Sequence, residues 1–424
     1  MALGAVWFLL AAVWPPILLL GMLWWVAVAA AAVADIRCLA ETRRVSASRS
    51  LQSVLSLGVS HQVEIALRNR SRYDFACLVR DEPPLDFETD RLRLPCSLPA
   101  NGTGSAEYRV TPRRRGDFPF GRLHLRLTTG FGLMCRQLRL EAGQVCKVYP
   151  SLAGIRQYEL AARKQHLLDV GIRPLRLSSA ALEFESLRNY LPGDELRRID
   201  WKATARHNQP ITRDYNVERS QHLILCLDLG RTMLSELGAL SKVDHAINAA
   251  SLLAHVACRV GDWVGIYAFA REPAIYLPPR KRQFSRVLDA LYRLQAERTE
   301  SDYHQCFLDV ARRVRKRALV VLFTDLWDPD SSARLLRYAR LITRRHLVLC
   351  PALSDYELYE IVARSPGEPR ELYERAVGTA LLADRERALS ALRKQGAIAF
   401  DATPANLSLA VLNRYLTIKS QLRL

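Results

Sequence analysis

The first 34 residues carry no charge, and no other stretch limits so strongly what the chain can become. Four of the seven Trp (Trp7, Trp14, Trp24 and Trp25) lie there, an apolar run with aromatic anchors that reads as a membrane segment. As one helix it would run to about 50 Å at 1.5 Å per residue, well beyond a hydrocarbon core of about 30 Å. Pro15-Pro16 offers a break, so the expected form is a helical hairpin within residues 1–36, with a short arm to Trp14 and a second from Ile17 to Ala34. A re-entrant first arm is the other form so short a stretch allows. Ala32-Val-Ala34 resembles a signal-peptide cleavage site, but no basic residue precedes the apolar run, which is also too long and is interrupted. Arg37, Arg43, Arg44 and Arg49 follow directly, so the positive-inside rule predicts an inner (cytoplasmic) membrane anchor with the soluble domains in the cytoplasm.

All of the net charge of +18 therefore belongs to residues 35–424. Residues 35–150 hold 19 basic against 12 acidic side chains, so the excess is diffuse rather than a tail. No basic motif interleaved with aromatics is present, and no nucleic-acid partner is expected; attraction to an anionic leaflet explains the charge more simply. Nine cysteines without a CxxC pair argue against a disulfide framework or structural zinc and fit a reducing compartment.

From residue 45 to 150 the pattern has period two, as where Val63, Ile65 and Leu67 alternate with Glu64, Ala66 and Arg68. Turn clusters such as Asp81-Glu-Pro-Pro and Pro99-Ala-Asn-Gly separate such runs. Short strands at that spacing predict an antiparallel β-sandwich, immunoglobulin-like in size, with a spacer role. After residue 220, apolar runs at His222 to Leu227, Val264 to Phe269, Leu319 to Phe323, His346 to Leu349 and Ala397 to Phe400 alternate with helical stretches. This predicts an α/β domain over residues 221–424, a doubly wound parallel sheet covered on both faces, whose sites lie at the carboxyl ends of strands. Asp228 and Thr232 follow one such end, and Asp325 and Asp328 another.

Residues 151–220 join the two regions. Leu191-Pro-Gly-Asp194 reads as a turn, and Arg188, Arg197, Arg198 and Arg206 alternate with Asp194, Asp200, Glu218 and the indole of Trp201. That mixture suits a network of ion pairs and Arg-aromatic stacking, which would fix this arm to the α/β domain or present it to a partner.

The stretch from Glu183 to Arg206, with Arg188, Tyr190, Pro192, Gly193, Asp194, Arg197, Asp200 and Trp201 in the pattern EFxxLRxYxPGDxxRxIDWxxxAR, followed by Glu218-Arg219, resembles the bacterial family known as domain of unknown function 58. The resemblance implies a membrane hairpin, a β-rich region and a C-terminal domain similar to von Willebrand factor type A domains. It also implies a partner, since members are typically encoded beside MoxR-type AAA+ ATPases. Von Willebrand type A domains commonly hold Mg²⁺ through a DxSxS loop, a Thr and a further Asp. Here Asp228 matches the first position, Gly230 stands where the first Ser would be, Thr232 matches the second hydroxyl, Ser301 the Thr, and Asp325 the last Asp. With one ligand missing, the expectation is weakly bound Mg²⁺ or no cofactor.

Asp228-x-Gly-x-Thr232 is also similar to the motif of haloacid-dehalogenase-type phosphatases, in which an Asp attacks phosphorus. The second Asp of that motif is Gly230 here, and no Lys stands obviously at a strand end. No Walker-type loop, nucleophile elbow or zincin motif occurs. The expected protein is a non-enzymatic, membrane-anchored scaffold or adaptor acting with a MoxR-type ATPase. The alternative is a Mg-dependent, phosphatase-like hydrolase using Asp228 and Asp325.

Overall fold

Alternation of side chains decides the first half of the molecule, and continuous burial decides the second. The computed structural model describes residues 17–151, 153–163, 183–190, 199–207, 209–216, 220–326 and 329–421. They divide into two units, Met1–Tyr149 and Pro150–Leu424.

In the first unit α1 (Ile17–Ala40) is followed by a 3-10 turn, Glu41–Arg44. At 24 residues α1 is about 36 Å long, and it is apolar enough to cross a membrane. It continues past the expected end at Ala34: Asp35 and Leu39 are buried, and Asp35 Oδ2 accepts the N–H of Met134 in the same unit (2.7 Å). The first arm of the expected hairpin, with Pro15-Pro16, lies outside the described residues.

Strands β1 (Val45–Ser50), β2 (Val54–Ser56), β3 (His61–Asn69), β4 (Phe75–Asp81), β5 (Phe87–Thr89) and β6 (Leu94–Leu98) come next. β7 (Thr103–Pro112), β8 (Gly116–Phe120), β9 (Leu123–Thr128), β10 (Cys135–Leu140) and β11 (Gln144–Tyr149) complete the unit. They form sheets of order β1-β3-β7-β5, β10-β9-β4-β6 and β2-β11-β8, the two four-stranded ones antiparallel throughout. Val63, Ile65 and Leu67 are buried and Glu64, Ala66 and Arg68 exposed, as period two requires. Arg49 on β1 donates from Nε to Asp81 Oδ2 on β4 (2.8 Å), and the Tyr108 hydroxyl on β7 donates to the same oxygen (2.7 Å). This buried set ties the two four-stranded sheets together.

The second unit opens with α2 (Ala153–Arg163), then β12 (Glu183–Asn189), α3 (Trp201–His207) and β13 (Ile211–Asn216), with β12 and β13 antiparallel. The α/β region begins with β14 (His222–Asp228) and a two-rung hairpin, β15 (Glu236–Leu237) with β16 (Leu240–Ser241). It continues through α4 (Lys242–Val260), β17 (Trp263–Phe269), β18 (Pro273–Arg280), α5 (Phe284–Arg293), α6 (Tyr303–Arg313) and β19 (Ala318–Phe323). It ends with α7 (Pro329–Thr343), β20 (Leu347–Leu353), α8 (Tyr356–Ala363), α9 (Pro369–Lys394), β21 (Ile398–Ala402) and α10 (Leu407–Ser420).

The large sheet has the order β18-β17-β14-β19-β20-β21. On β14, Leu223, Leu225 and Leu227 join the core under α4, α5 and α10, whereas Ile224 and Cys226 join the core under α6, α7 and α9. A strand covered on both faces has no polar side, which is why these strands read as unbroken apolar runs. One correction concerns the all-parallel expectation. β18 is antiparallel to β17 at the sheet edge, and its Pro278-Pro279 hid it as a strand, although an edge tolerates the missing N–H groups. Gly265 on β17 makes room for it: a Cβ there would stand 2.8 Å from the Leu277 carbonyl oxygen.

Candidate functional site

The sheet winds outward in both directions from the adjacent strands β14 and β19, and in doubly wound sheets ligands bind outside the carboxyl ends at that point. Asp228 ends β14, and Thr324 and Asp325 follow β19, so the fold brings the expected strand-end carboxylates to this place.

Asp228 is wholly buried. Its Oδ1 accepts hydrogen bonds from the Gly230 N–H (2.8 Å) and the Ser301 hydroxyl. Its Oδ2 accepts from the hydroxyls of Tyr303 (2.8 Å) and Thr324 (2.6 Å). Burial raises the carboxyl above its ordinary pKa, against the pull of these four donors toward the anion. Burial, and then the neighbouring Asp228, likewise push the Tyr303 phenol well above its usual range. A Ser two residues after Asp228 would have to displace Ser301, whose Oγ occupies the space where a Cβ on Gly230 would stand. Thr232 lies half-buried in the 3-10 turn Arg231–Leu234.

Asp325, placed by sequence as the last ligand of the same metal, is committed elsewhere. Its Oδ2 accepts from Lys242 Nζ, and its Oδ1 accepts from Arg385 Nη1 (3.1 Å) and the Leu326 N–H (2.8 Å). Arg385 also reaches Asp401 Oδ1 (2.7 Å from Nη2) and the Leu353 carbonyl (2.7 Å). Burial works against the Arg385 charge, but Asp325 and Asp401 outweigh it and raise its pKa. Lys242 reaches Asp325 from a helix start rather than a strand end: it is the first residue of α4, whose N-terminus is closed by a Ser241–Asp244 capping box.

These donors do not fit a resident Mg²⁺. Both Asp228 oxygens already accept two hydrogen bonds each, and the second carboxylate that would balance a divalent charge is neutralised by two cations. Among the described residues, no three His, Cys, Asp or Glu side chains form a metal-ligand group.

Of the signature arm, Tyr190 donates its N–H to the Pro210 carbonyl (2.8 Å). Asp200 Oδ1 accepts the N–H groups of Lys202 and Ala203 (both 3.0 Å), so this carboxylate caps α3. Trp201 is 70% exposed, and Arg206 is exposed. Arg188 lies on β12 opposite Thr212 of β13. Pro192, Gly193, Asp194, Arg197 and Glu218, and Asp328 after β19, lie outside the described residues.

Tyr303, Lys242, Arg385 and Asp401 are the site residues that sequence reasoning missed. For Arg385 a signal existed: Arg385, Ala388, Leu389 and Leu392 follow the i, i+3, i+4, i+7 spacing of a buried helical stripe.

The chain is similar to the uncharacterized protein YeaD of Bacillus subtilis, 24% identical over 169 residues, 40% of this chain and 40% of YeaD. It therefore spans well under half of that relative's length. It is 28% identical to the uncharacterized protein Rv1480 of Mycobacterium tuberculosis over 217 residues, 49% of this chain and 67% of that protein. Among solved structures, the CARDB domain of a Pyrococcus furiosus protein matches at 12% identity, with 25% of this chain, 94% of that chain and a TM-score of 0.18. A FixG-related protein from Vibrio parahaemolyticus matches at 6% identity, with 25% of this chain, 96% of that chain and a TM-score of 0.18. Likenesses so slight carry no argument. Residues 186–361, which run from the signature arm into α8, match the family described as "Protein of unknown function DUF58".

Proposed function

We propose that the protein is a scaffold or adaptor, anchored in the cytoplasmic membrane with its soluble units in the cytoplasm, whose α/β unit binds a MoxR-type AAA+ ATPase. Its reading as a von Willebrand factor type A-like domain is supported by the doubly wound strand order and by the loops that bring Asp228 and Ser301 together after the strands.

One observation carries the adaptor reading. The strand-end carboxylates are closed off by their own partners, while α8 and α9, which leave the same end of the sheet after β20, hold out apolar surface. Tyr356, Tyr359, Leu372, Tyr373 and Val377 are exposed there, Tyr373 at 72%. Gly378 lets α9 lie close on α8, since a Cβ would meet Val362 at 2.9 Å and Leu358 at 3.2 Å. Concentrated exposed aromatics mark a protein-binding surface more often than a solvated one. Residues 355–377 carry six acidic against three basic side chains in a chain of net charge +18, which suits a basic rim on the partner.

The test is co-purification of the full chain in detergent with a MoxR-type ATPase and ATP. The expected outcome is a complex that Tyr356→Ala with Tyr373→Ala abolishes while leaving the melting temperature unchanged. No complex, or one indifferent to both substitutions, removes the reading.

The second reading, a phosphate-ester hydrolase using Asp228 and Asp325, is favoured only by Lys242 beside Asp325. It requires Asp228 to reach substrate. Hydrolysis that disappears in Asp228→Asn would establish it.

A further inference from the structure

The loop joining β9 to β10 combines features that the scaffold reading does not use. Its sequence is Thr129-Gly-Phe-Gly-Leu-Met134, and Phe131, Leu133 and Met134 are 65%, 49% and 42% exposed. Gly130 and Gly132 face open space, with no atom within 4 Å of where a Cβ would stand, and Gly132 has φ +65°. The loop therefore projects, with its apolar side chains outward.

A single buried carboxylate holds both ends of this loop, and it belongs to α1. Asp35 Oδ1 accepts from the Thr129 hydroxyl, and Asp35 Oδ2 accepts from the Met134 N–H (2.7 Å). Arg136, just beyond the loop, donates from Nη1 to the Leu39 carbonyl near the end of α1 (3.1 Å). Such a cation at a helix C-terminus complements the helix dipole. The exposed apolar surface of α1, including Met22, Leu23, Val26, Val33 and Ile36, thus leads to the point where the loop is clamped. Arg37, Arg43 and Arg44 are exposed beside it.

We propose that residues 130–134 form a second membrane contact, inserting Phe131, Leu133 and Met134 into the interfacial region of the bilayer that α1 crosses. Exposed Phe, Leu and Met flanked by Arg are the composition of an interfacial insertion, in which apolar side chains enter the acyl boundary and cations meet anionic headgroups. The occupant is lipid because the loop continues the apolar surface of a membrane helix and is bonded to its end. The inference rests on the reading of α1 as a membrane span.

The experiment places the photoreactive residue p-benzoylphenylalanine singly at positions 22, 131 and 85 of the full chain, reconstituted in vesicles of phosphatidylethanolamine and phosphatidylglycerol. Leu85 is fully exposed and follows β4 beyond Asp81, which pairs with Leu123 at the far end of β9 from the loop, so it serves as the distant control. The expected result is a phospholipid adduct by mass spectrometry at positions 22 and 131 and none at 85. An adduct at 22 without one at 131 would overturn the loop contact and leave the anchor standing. Adducts at neither position would overturn both, and adducts at all three, or protein in place of lipid at 131, would overturn the loop contact.

Discussion

Two carboxylates sit at neighbouring strand ends, and each is buried by opposite means. Asp228 is surrounded by neutral donors, one backbone N–H and three hydroxyls, and holds together the loops that follow β14 and α5. Asp325 is held by two cations, Lys242 from the start of α4 and Arg385 from the middle of α9, and so ties helices to the sheet. Dipoles leave a charge only partly compensated, and burial then drives the group toward its neutral form. Counter-ions remove the charge, but each becomes a liability if its partner is lost.

Removing Arg385 should have the largest effect. Arg385→Ala leaves Asp325 with one cation and Asp401 with neither of its guanidinium bonds, and a loss of about 3 to 5 kcal/mol is expected, read by urea denaturation. A loss below about 1 kcal/mol would mean that Lys242 alone suffices.

His346, a buried ionisable group with neither kind of help, is the reference case. Both ring nitrogens are buried without a partner, and burial lowers its pKa from 6.5 to about 4. A base whose folded pKa is depressed binds its proton first in the unfolded chain. Stability should therefore fall as pH drops from about 6.5 to about 4, by on the order of 2 to 3 kcal/mol. His346→Leu should flatten that part of the pH profile; an unchanged profile would assign the acid sensitivity elsewhere.

The smallest effect is expected at Asp228. Its raised pKa means that the folded state takes up a proton more readily than the unfolded chain, so its contribution declines as pH rises through the carboxylate range. Asp228→Asn keeps one acceptor and offers an amide N–H₂ to the Tyr303 and Thr324 hydroxyls, which can turn to accept. Stability at neutral pH should stay within about 1 kcal/mol of wild type, in thermal melts. A loss comparable to that of Arg385→Ala would show that the anion itself holds the loops.

Much of this was legible because burial on both faces leaves an unbroken apolar run, and such runs marked β14, β17, β19, β20 and β21. Asp228 and Asp325 stood out as the charges that end two of them. What pairs with Asp325 was not legible in the same way. Arg385 and Arg387 sit two residues apart in the same charged stretch of α9, yet the first has a side chain 1% exposed and the second 78%. Local composition cannot separate them; only the phase of the helix against Leu389 and Leu392 can. Gly230 taught a similar lesson, since its missing side chain is explained by Ser301, far away in sequence.

Arg385 bonds Asp325, the second residue after β19, the last residue of β20, and Asp401 of β21. A pull on the exposed first half of α9 would therefore reach three adjacent strands at once. The α8–α9 hairpin is in that sense a handle pinned across half of the sheet.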